Sequence, residues 1–218
     1  MYIFQPDRFL LEKQIKKYSH YLSGKLLDIG AGSYSRYDHL FKVEEYLKLD
    51  IEHSDNVDLV ASAEDIPFLA ETFDSVICTQ VFEHLNNPFK AAYEISRILK
   101  IGGVCLLTVP QVNELHNEPH DYFRYTMFGL EEIFNKIGLE IIEFDRRGGF
   151  FTLIAQLKTR YLSDRLQLHR RKFFGRVASK IFSIYGKFMM VLDKLDKSDA
   201  NHKHTIGWCV VLRKKEKI

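Results

Sequence analysis

No uncharged apolar stretch of this chain reaches the roughly 20 residues that a membrane-spanning helix needs, so the sequence offers no helical span. Cysteine is scarce. Cys78, Cys105 and Cys209 are the only three, an odd number with no Cys-x-x-Cys among them. That leaves neither a disulfide framework nor a thiolate metal knuckle. Each lies in an apolar run, where a thiol packs as a small hydrophobe, and reduced thiols fit a reducing compartment. The opening segment MYIFQPDRFLLEKQIKK lacks the apolar core of a secretory signal, and the expected location is cytoplasmic. Net charge is also small, +2 over 218 residues, so overall charge does not make the molecule a polyanion binder.

What is present is unevenly placed. Between Arg146 and Lys180 there are ten Lys or Arg and one acid, Asp164, while the rest of the chain carries 21 basic and 28 acidic residues. The hydrophobic fraction, 46%, is that of an ordinary globular protein. A chain of this length builds one α/β domain with room for an insertion.

Periodicity divides the chain. Apolar residues at helical spacing over 7–22 predict a leading helix. KLLDI is a short strand, followed by a glycine loop and a short helix over 34–41. YLKLDI (46–51), VDLVAS (57–62), FDSVICT (73–79), VCLLTVP (104–110), LEIIEF (139–144) and IGWCVVL (206–212) read as six further strands. FDSVICT is almost continuously apolar, as a strand covered on both faces should be. Helices are predicted over 88–99, opened by Pro88, and over 126–137, capped by Thr126 and stopped by Gly138. Strands alternating with helices predict a doubly wound, largely parallel sheet.

In such a sheet, ligands sit beyond the carboxyl ends of the strands. The stretch KLLDIGAGSYS places two glycines one residue apart at that point. Gly30 and Gly32 allow a tight turn and a close approach of backbone to ligand. A dinucleotide fingerprint would have a third glycine where Ser35 stands. Asp28 also puts a carboxylate at the strand end, a poor neighbour for pyrophosphate but a good one for a ligand with an ammonium and a sulfonium. Asp50 ends the second strand 22 residues after Asp28, where an acid hydrogen-bonds a ribose hydroxyl. Together these describe S-adenosylmethionine.

The ordered set resembles the class I S-adenosylmethionine-dependent methyltransferases, most closely the type 11 methyltransferase family. LLDIGAG resembles the first motif, YLKLDI the second-strand acid, ASAEDIPFLAETFDSVICTQVFEHL the adenine turn and fourth strand, and ISRILKIGGVCLLTVP the following helix and strand. The likeness covers about residues 24–145, with strand seven rejoining it. One departure is Ser33, where many members have glycine. The resemblance implies a Rossmann-like, seven-stranded, mostly parallel sheet whose last strand is antiparallel. It implies that Gly30, Ala31 and Gly32 line the methionine part of the cofactor, with Asp28 near its ammonium group. Asp50 and Ile51 would hold the ribose and adenine, and Glu64, Asp65 and Ile66 would border the adenine. Thr79 and Gln80 would face the methyl end. Taken alone, Asp65-Ile66-Pro67 is equally an ordinary turn.

Two stretches are candidates for the acceptor site, FEHLNNP (82–88) and NEPHDYFRYT (117–126). They supply His84, His120, Tyr122 and Arg124 as candidate catalytic residues. Each has a plain alternative: His84 as a packing or capping residue, Arg124 as the partner of Asp121. His116 and His120 are four apart, but Pro119 interrupts any helix and the sequence shows no third ligand, so no metal is expected. Methyl transfer to O or N of a small or lipid-linked metabolite, a sugar among them, is the leading reading. The alternatives are a nucleotide-cofactor oxidoreductase and a catalytically silent scaffold subunit.

About 60 residues separate strands six and seven, too many for an unstructured loop. Phe174, Val177, Ile181, Ile184, Phe188, Val191 and Leu195 recur at steps of three and four, with Arg176, Lys180, Lys187 and Lys194 mostly opposite. This is a basic amphipathic helix. The expected division is a methyltransferase domain over 1–149 and 198–218 and a helical insertion over 150–197. The insertion would serve as a cap, as a homodimer interface, or as a peripheral contact with an anionic membrane. Nucleic acid ranks below these, because the aromatic residues lie on the apolar side.

Overall fold

The computed structural model describes residues 3–34 and 36–216; Ser35, the position of the missing third glycine, lies outside the described residues. The chain forms two compact units. One comprises Gln14–Pro110, Glu114–Asp145 and Trp208–Ile218; the other comprises Met1–Lys13, Gln111–Asn113 and Arg146–Gly207.

The first unit holds a seven-stranded sheet. Its strands are β1 (Lys25–Ile29), β2 (Glu45–Asp50), β3 (Leu59–Val60), β4 (Phe73–Thr79), β5 (Leu99–Pro110), β6 (Leu139–Arg146) and β7 (Gly207–Lys214), in the order β3-β2-β1-β4-β5-β7-β6. β1 pairs in parallel with β2 on one side and β4 on the other, with Asp28 level with both Lys48 and Ile77. The strand order therefore reverses at β1, and the glycine loop leaves the sheet at that crevice. Leu27, Ile29, Val76, Cys78, Cys105 and Leu107 are wholly buried, as their near-continuous apolar runs require.

β7 lies between β5 and β6. Arg147 N–H donates to Gly207 O at 2.8 Å and Ile206 N–H to Arg147 O at 3.1 Å, while at the other end Lys215 N–H reaches Gly138 O at 3.1 Å. Residue numbers that rise on one strand as they fall on its neighbour make this pair antiparallel. The expected sheet is thus present.

Local chemistry sets the helices. α1 (Pro6–Tyr18) leads into the sheet. In α2 (Pro88–Ile98) the Asn87 side chain accepts from Lys90 N–H, and in α3 (Met127–Asn135) Thr126 accepts from Gly129 N–H. Gly138 follows α3 at φ +75°. The helix expected over 34–41 is instead a short 3-10 turn at Asp38–Leu40, with Asp38 drawn into ion pairing. β5 begins five residues earlier than its apolar run implies. Leu99 pairs with Phe73 before a register shift, and Gly102 sits at φ +77°.

The second unit contains α4 (Phe150–Arg165), α5 (Lys172–Leu195) and α6 (Asp199–His202). Only the second of these was legible as an amphipathic helix. Asp193 of α5 accepts from the N–H groups of Gly149, Phe151 and Thr152 at 2.9–3.0 Å. A carboxylate is thereby set on the positive end of α4. Wholly buried Arg147 is paired with Asp7 at 2.8 Å. Gly186 leaves room for Phe4, whose ring would stand 2.9 Å from any added Cβ.

Candidate active site

Gly30 and Gly32 carry φ of +75° and +67°, a backbone region costly for other residues. A Cβ at Gly30 would also fall 2.2 Å from Val81 Cγ2, whereas nothing crowds Gly32. The N–H groups of Gly30 and Ala31 both donate to Leu49 O, at 2.8 and 3.2 Å. The loop is thus pinned to the end of β2.

Asp50 pins it a second time. Its Oδ2 accepts from Gly32 N–H at 2.8 Å and its Oδ1 from Glu52 N–H at 3.0 Å. Carboxylate oxygens have lone pairs left over after these bonds. Ile51, next along, is exposed at 72%. Asn56 Nδ2 holds Gly32 O from the other side at 3.0 Å.

Asp28 lies beneath the loop, and Tyr46 donates to its Oδ2 at 2.6 Å. The same hydroxyl lies 3.3 Å from Asp38, which Lys48 pairs at 2.7 Å. Burial pushes the Asp28 carboxyl up to about 7, against the lowering effect of the Tyr46 hydrogen bond. Sequence reasoning missed Tyr46, Asp38 and Lys48. Tyr46 and Lys48 alternate along β2 and read simply as one face of a strand.

At the next strand end, Ile66 is buried and Asp65 exposed, with Ser62 and Asp65 forming a bridge. Glu64 accepts from Asn87 N–H at 3.0 Å, which ties this turn to the start of α2. Glu94 Oε2 accepts from Ile66 N–H at 2.9 Å, and Arg97 donates to Ile66 O and Phe68 O while pairing with Glu94. This clamp was also unforeseen. Its signal was a carboxylate set among Ala91, Ala92, Ile95 and Ile98 on the apolar side of a helix.

Thr79 ends β4, and Gln80 follows at φ +55°, its N–H on Thr108 O and its side-chain amide 3.3 Å from Thr108 Oγ1. A non-glycine residue in this region is strained, and such strain clusters at ligand sites. A 3-10 turn, Phe82–His84, comes next, with Glu83 wholly buried.

The turn and the loop after β5 are laced together. Tyr122 N–H and Phe123 N–H donate to Glu83 O, and His84 Nδ1 meets His120 O at 2.5 Å. Burial holds the His84 imidazole below its ordinary value. The rings of His84 and His116 lie 4.8 Å apart, edge to face. Exposed His120 meets Tyr122 Oη at 2.9 Å. Arg124 forks onto Asp121 at 2.6 and 2.7 Å and reaches Glu114 O at 3.0 Å. That pair holds the Asp121 carboxyl down to about 2. The fold brings His84, His120 and Tyr122 together. Arg124 braces the loop beside them.

A methyltransferase domain model matches residues 27–107, from β1 into β5. An uncharacterized protein of Methanocaldococcus jannaschii is 27% identical over 114 residues, a match covering 49% of this chain and 55% of that protein. The chain thus spans little more than half the length of the curated relative it matches. Among solved structures, a Haemonchus contortus phosphoethanolamine N-methyltransferase 2 in complex with S-adenosyl-L-methionine superposes with a TM-score of 0.59 at 20% identity, covering 96% of this chain and 53% of that one. The [4+2]-cyclase SpnF gives 0.57 at 19% identity, covering 97% and 81%. The second likeness shows that this fold carries other chemistry too, so the backbone alone does not specify a reaction. The glycine loop, both strand-end acids and the domain match agree: residues 27–107 carry a methyltransferase domain, and S-adenosylmethionine is the cofactor of that domain.

Proposed function

We propose that the chain transfers a methyl group from S-adenosylmethionine to an oxygen or nitrogen of a small or lipid-linked metabolite, a sugar being the candidate acceptor. The observation that carries this reading is the double tether of the glycine loop to Leu49 O and Asp50. It fixes an anionic rim around a backbone turn open to a ligand. In the proposed complex Gly30, Ala31 and Gly32 run beside the methionine part, with Asp28 toward its ammonium. Asp50 and Ile51 take the ribose and adenine, and Glu64, Asp65 and Ile66 border the adenine. Thr79 and Gln80 face the methyl group. His84, His120 and Tyr122 flank the acceptor.

The chemistry asks little of the protein beyond alignment. The acceptor lone pair attacks the methyl carbon, and the carbon–sulfur bonding pair leaves on sulfur, which departs as a neutral thioether. In-line placement at near-attack distance supplies most of the acceleration. A neutral amine needs no prior proton loss, whereas a hydroxyl must give its proton to a base or water.

Calorimetry tests the donor assignment. S-adenosylmethionine should bind and a nicotinamide dinucleotide should not. Asp50→Ala removes a charged acceptor worth about 1.5–3 kcal/mol, so donor affinity should fall about tenfold or more. Unchanged affinity in a folded variant would remove Asp50 from the site.

The lipid-linked form of the reading rests on α5. Gly175, Phe182 and Gly186 form its buried side, while Phe174, Val177, Ile181, Ile184, Phe188, Val191 and Leu195 are each 45–73% exposed. No helix among the described residues is long and apolar enough to cross a membrane. An exposed apolar stripe flanked by Arg176, Lys180, Lys187 and Lys194 suits burial at an anionic membrane surface, where charge and apolar contact act together.

A further inference from the structure

The geometry points to a divalent metal site formed by Glu83, His84 and His116, taking one first-row transition cation, zinc foremost. One potential ligand atom from each of the three lies within 4.8 Å of the other two. Two imidazoles with one carboxylate form a donor set suited to zinc and its neighbours rather than to magnesium or calcium. The residues come from two places in the chain. Glu83 and His84 follow β4, and His116 lies 32 positions beyond His84 in the loop after β5, so no spacing rule could have joined them.

The ring nitrogens are already sorted. His84 Nδ1 lies on His120 O at 2.5 Å and His116 Nδ1 on Glu114 O at 3.1 Å. A carbonyl can only accept, so each Nδ1 carries the proton. An imidazole with its one proton on Nδ1 presents its lone pair at Nε2. A backbone carbonyl on the far nitrogen is the outer support that metal-binding histidines use to fix tautomer and orientation. Asp121 approaches His116 Nδ1 at 3.4 Å and is itself fixed by Arg124, so the Asp121 carboxylate and the Glu114 carbonyl both back one ligand.

Three protein ligands leave a coordination position open, the arrangement of a working rather than a structural ion. Where the acceptor is a hydroxyl compound, its oxygen can fill that position, which orients it and eases loss of its proton. That last consequence rests on the acceptor site proposed above; binding of the ion does not.

Full-length protein stripped with chelator should take up one Co2+ per chain, with visible d–d absorption of a four- or five-coordinate site, and one Zn2+ should displace it. His116→Ala and Glu83→Gln should each weaken uptake about 10-fold or more, since loss of one ligand from a three-ligand set is not compensated. His202→Ala, in the other unit, should change nothing. Melting temperature and donor calorimetry establish that the variants are folded. Absence of a stoichiometric cobalt spectrum from the stripped wild type, or an undiminished one in folded His116→Ala, overturns the site. Metal uptake without donor binding would instead overturn the methyl-donor reading and leave the metal site standing.

Discussion

The two units treat their polar and apolar groups in opposite ways. In the sheet unit, the groups at the strand ends engage one another: Asp50 with the glycine loop, Tyr46 with Asp28, Glu94 and Arg97 with the turn at Ile66. In the helical unit, the polar groups of the helix ends are met by Asp193 and Asn201, but eight large apolar side chains on α5, Phe173 among them, stay exposed. A preorganised polar rim suits a small ligand of fixed shape. An exposed apolar stripe with a basic edge suits a surface whose details vary.

The largest test of that contrast replaces Arg176, Lys180, Lys187 and Lys194 together with Gln. Each basic residue near an anionic surface contributes about 1 kcal/mol. Binding to liposomes rich in anionic lipid should therefore drop by about a thousandfold, while donor affinity stays at its wild-type value. Wild-type binding should also weaken with salt. A wild type that ignores anionic liposomes at low salt but sediments as a dimer, broken by Ile181→Asp, would assign the stripe to a second copy of the chain.

Gly30→Ala should act on the other unit alone. The left-handed backbone costs about 1–2 kcal/mol for an L-residue, and the approach to Val81 adds to it. A thermal melt should show a loss of at least about 2 kcal/mol, with donor binding reduced and liposome binding intact. Gly32→Ala, with open space around its Cβ, should lose only the backbone part.

The last test is a pH dependence set by Asp28. Its carboxyl is raised from 3.8 to about 7, first by burial. A raised acid stabilises the fold when protonated. That contribution is complete below about 4 and disappears as pH rises through about 7. Donor affinity should run the other way. A cationic ligand favours the carboxylate, so affinity should climb from about pH 6 until the donor's own α-amine titrates near 8. Asp28→Asn should flatten both profiles. Tyr46→Phe removes a hydrogen bond to the charged form and should move the midpoint of each upward. Donor calorimetry from pH 5.5 to 8 reads the shift.

The sheet was legible in the chain because its signals are local. Buried strands announce themselves as apolar runs, glycines at a strand end announce a positive φ, and Asp50 stands at a readable distance from Asp28. The 3-10 turn at Asp38–Leu40 escaped because three residues are too few to carry a readable period. So did α4, whose apolar residues do not keep to one stripe. The sequence also located the polar loop after β5 but not its arrangement. Folding is what seats Arg124 on Asp121, turns the Tyr46 hydroxyl to Asp28, clamps a turn some 30 residues away with Glu94 and Arg97, and brings Glu83 and His84 to His116. The same holds for α5. Periodicity showed an apolar stripe, and folding showed that Gly175, Phe182 and Gly186 face inward while the stripe faces out. Periodicity reports which residues share a side of an element, whereas the partner of that side depends on contacts between segments far apart in the chain.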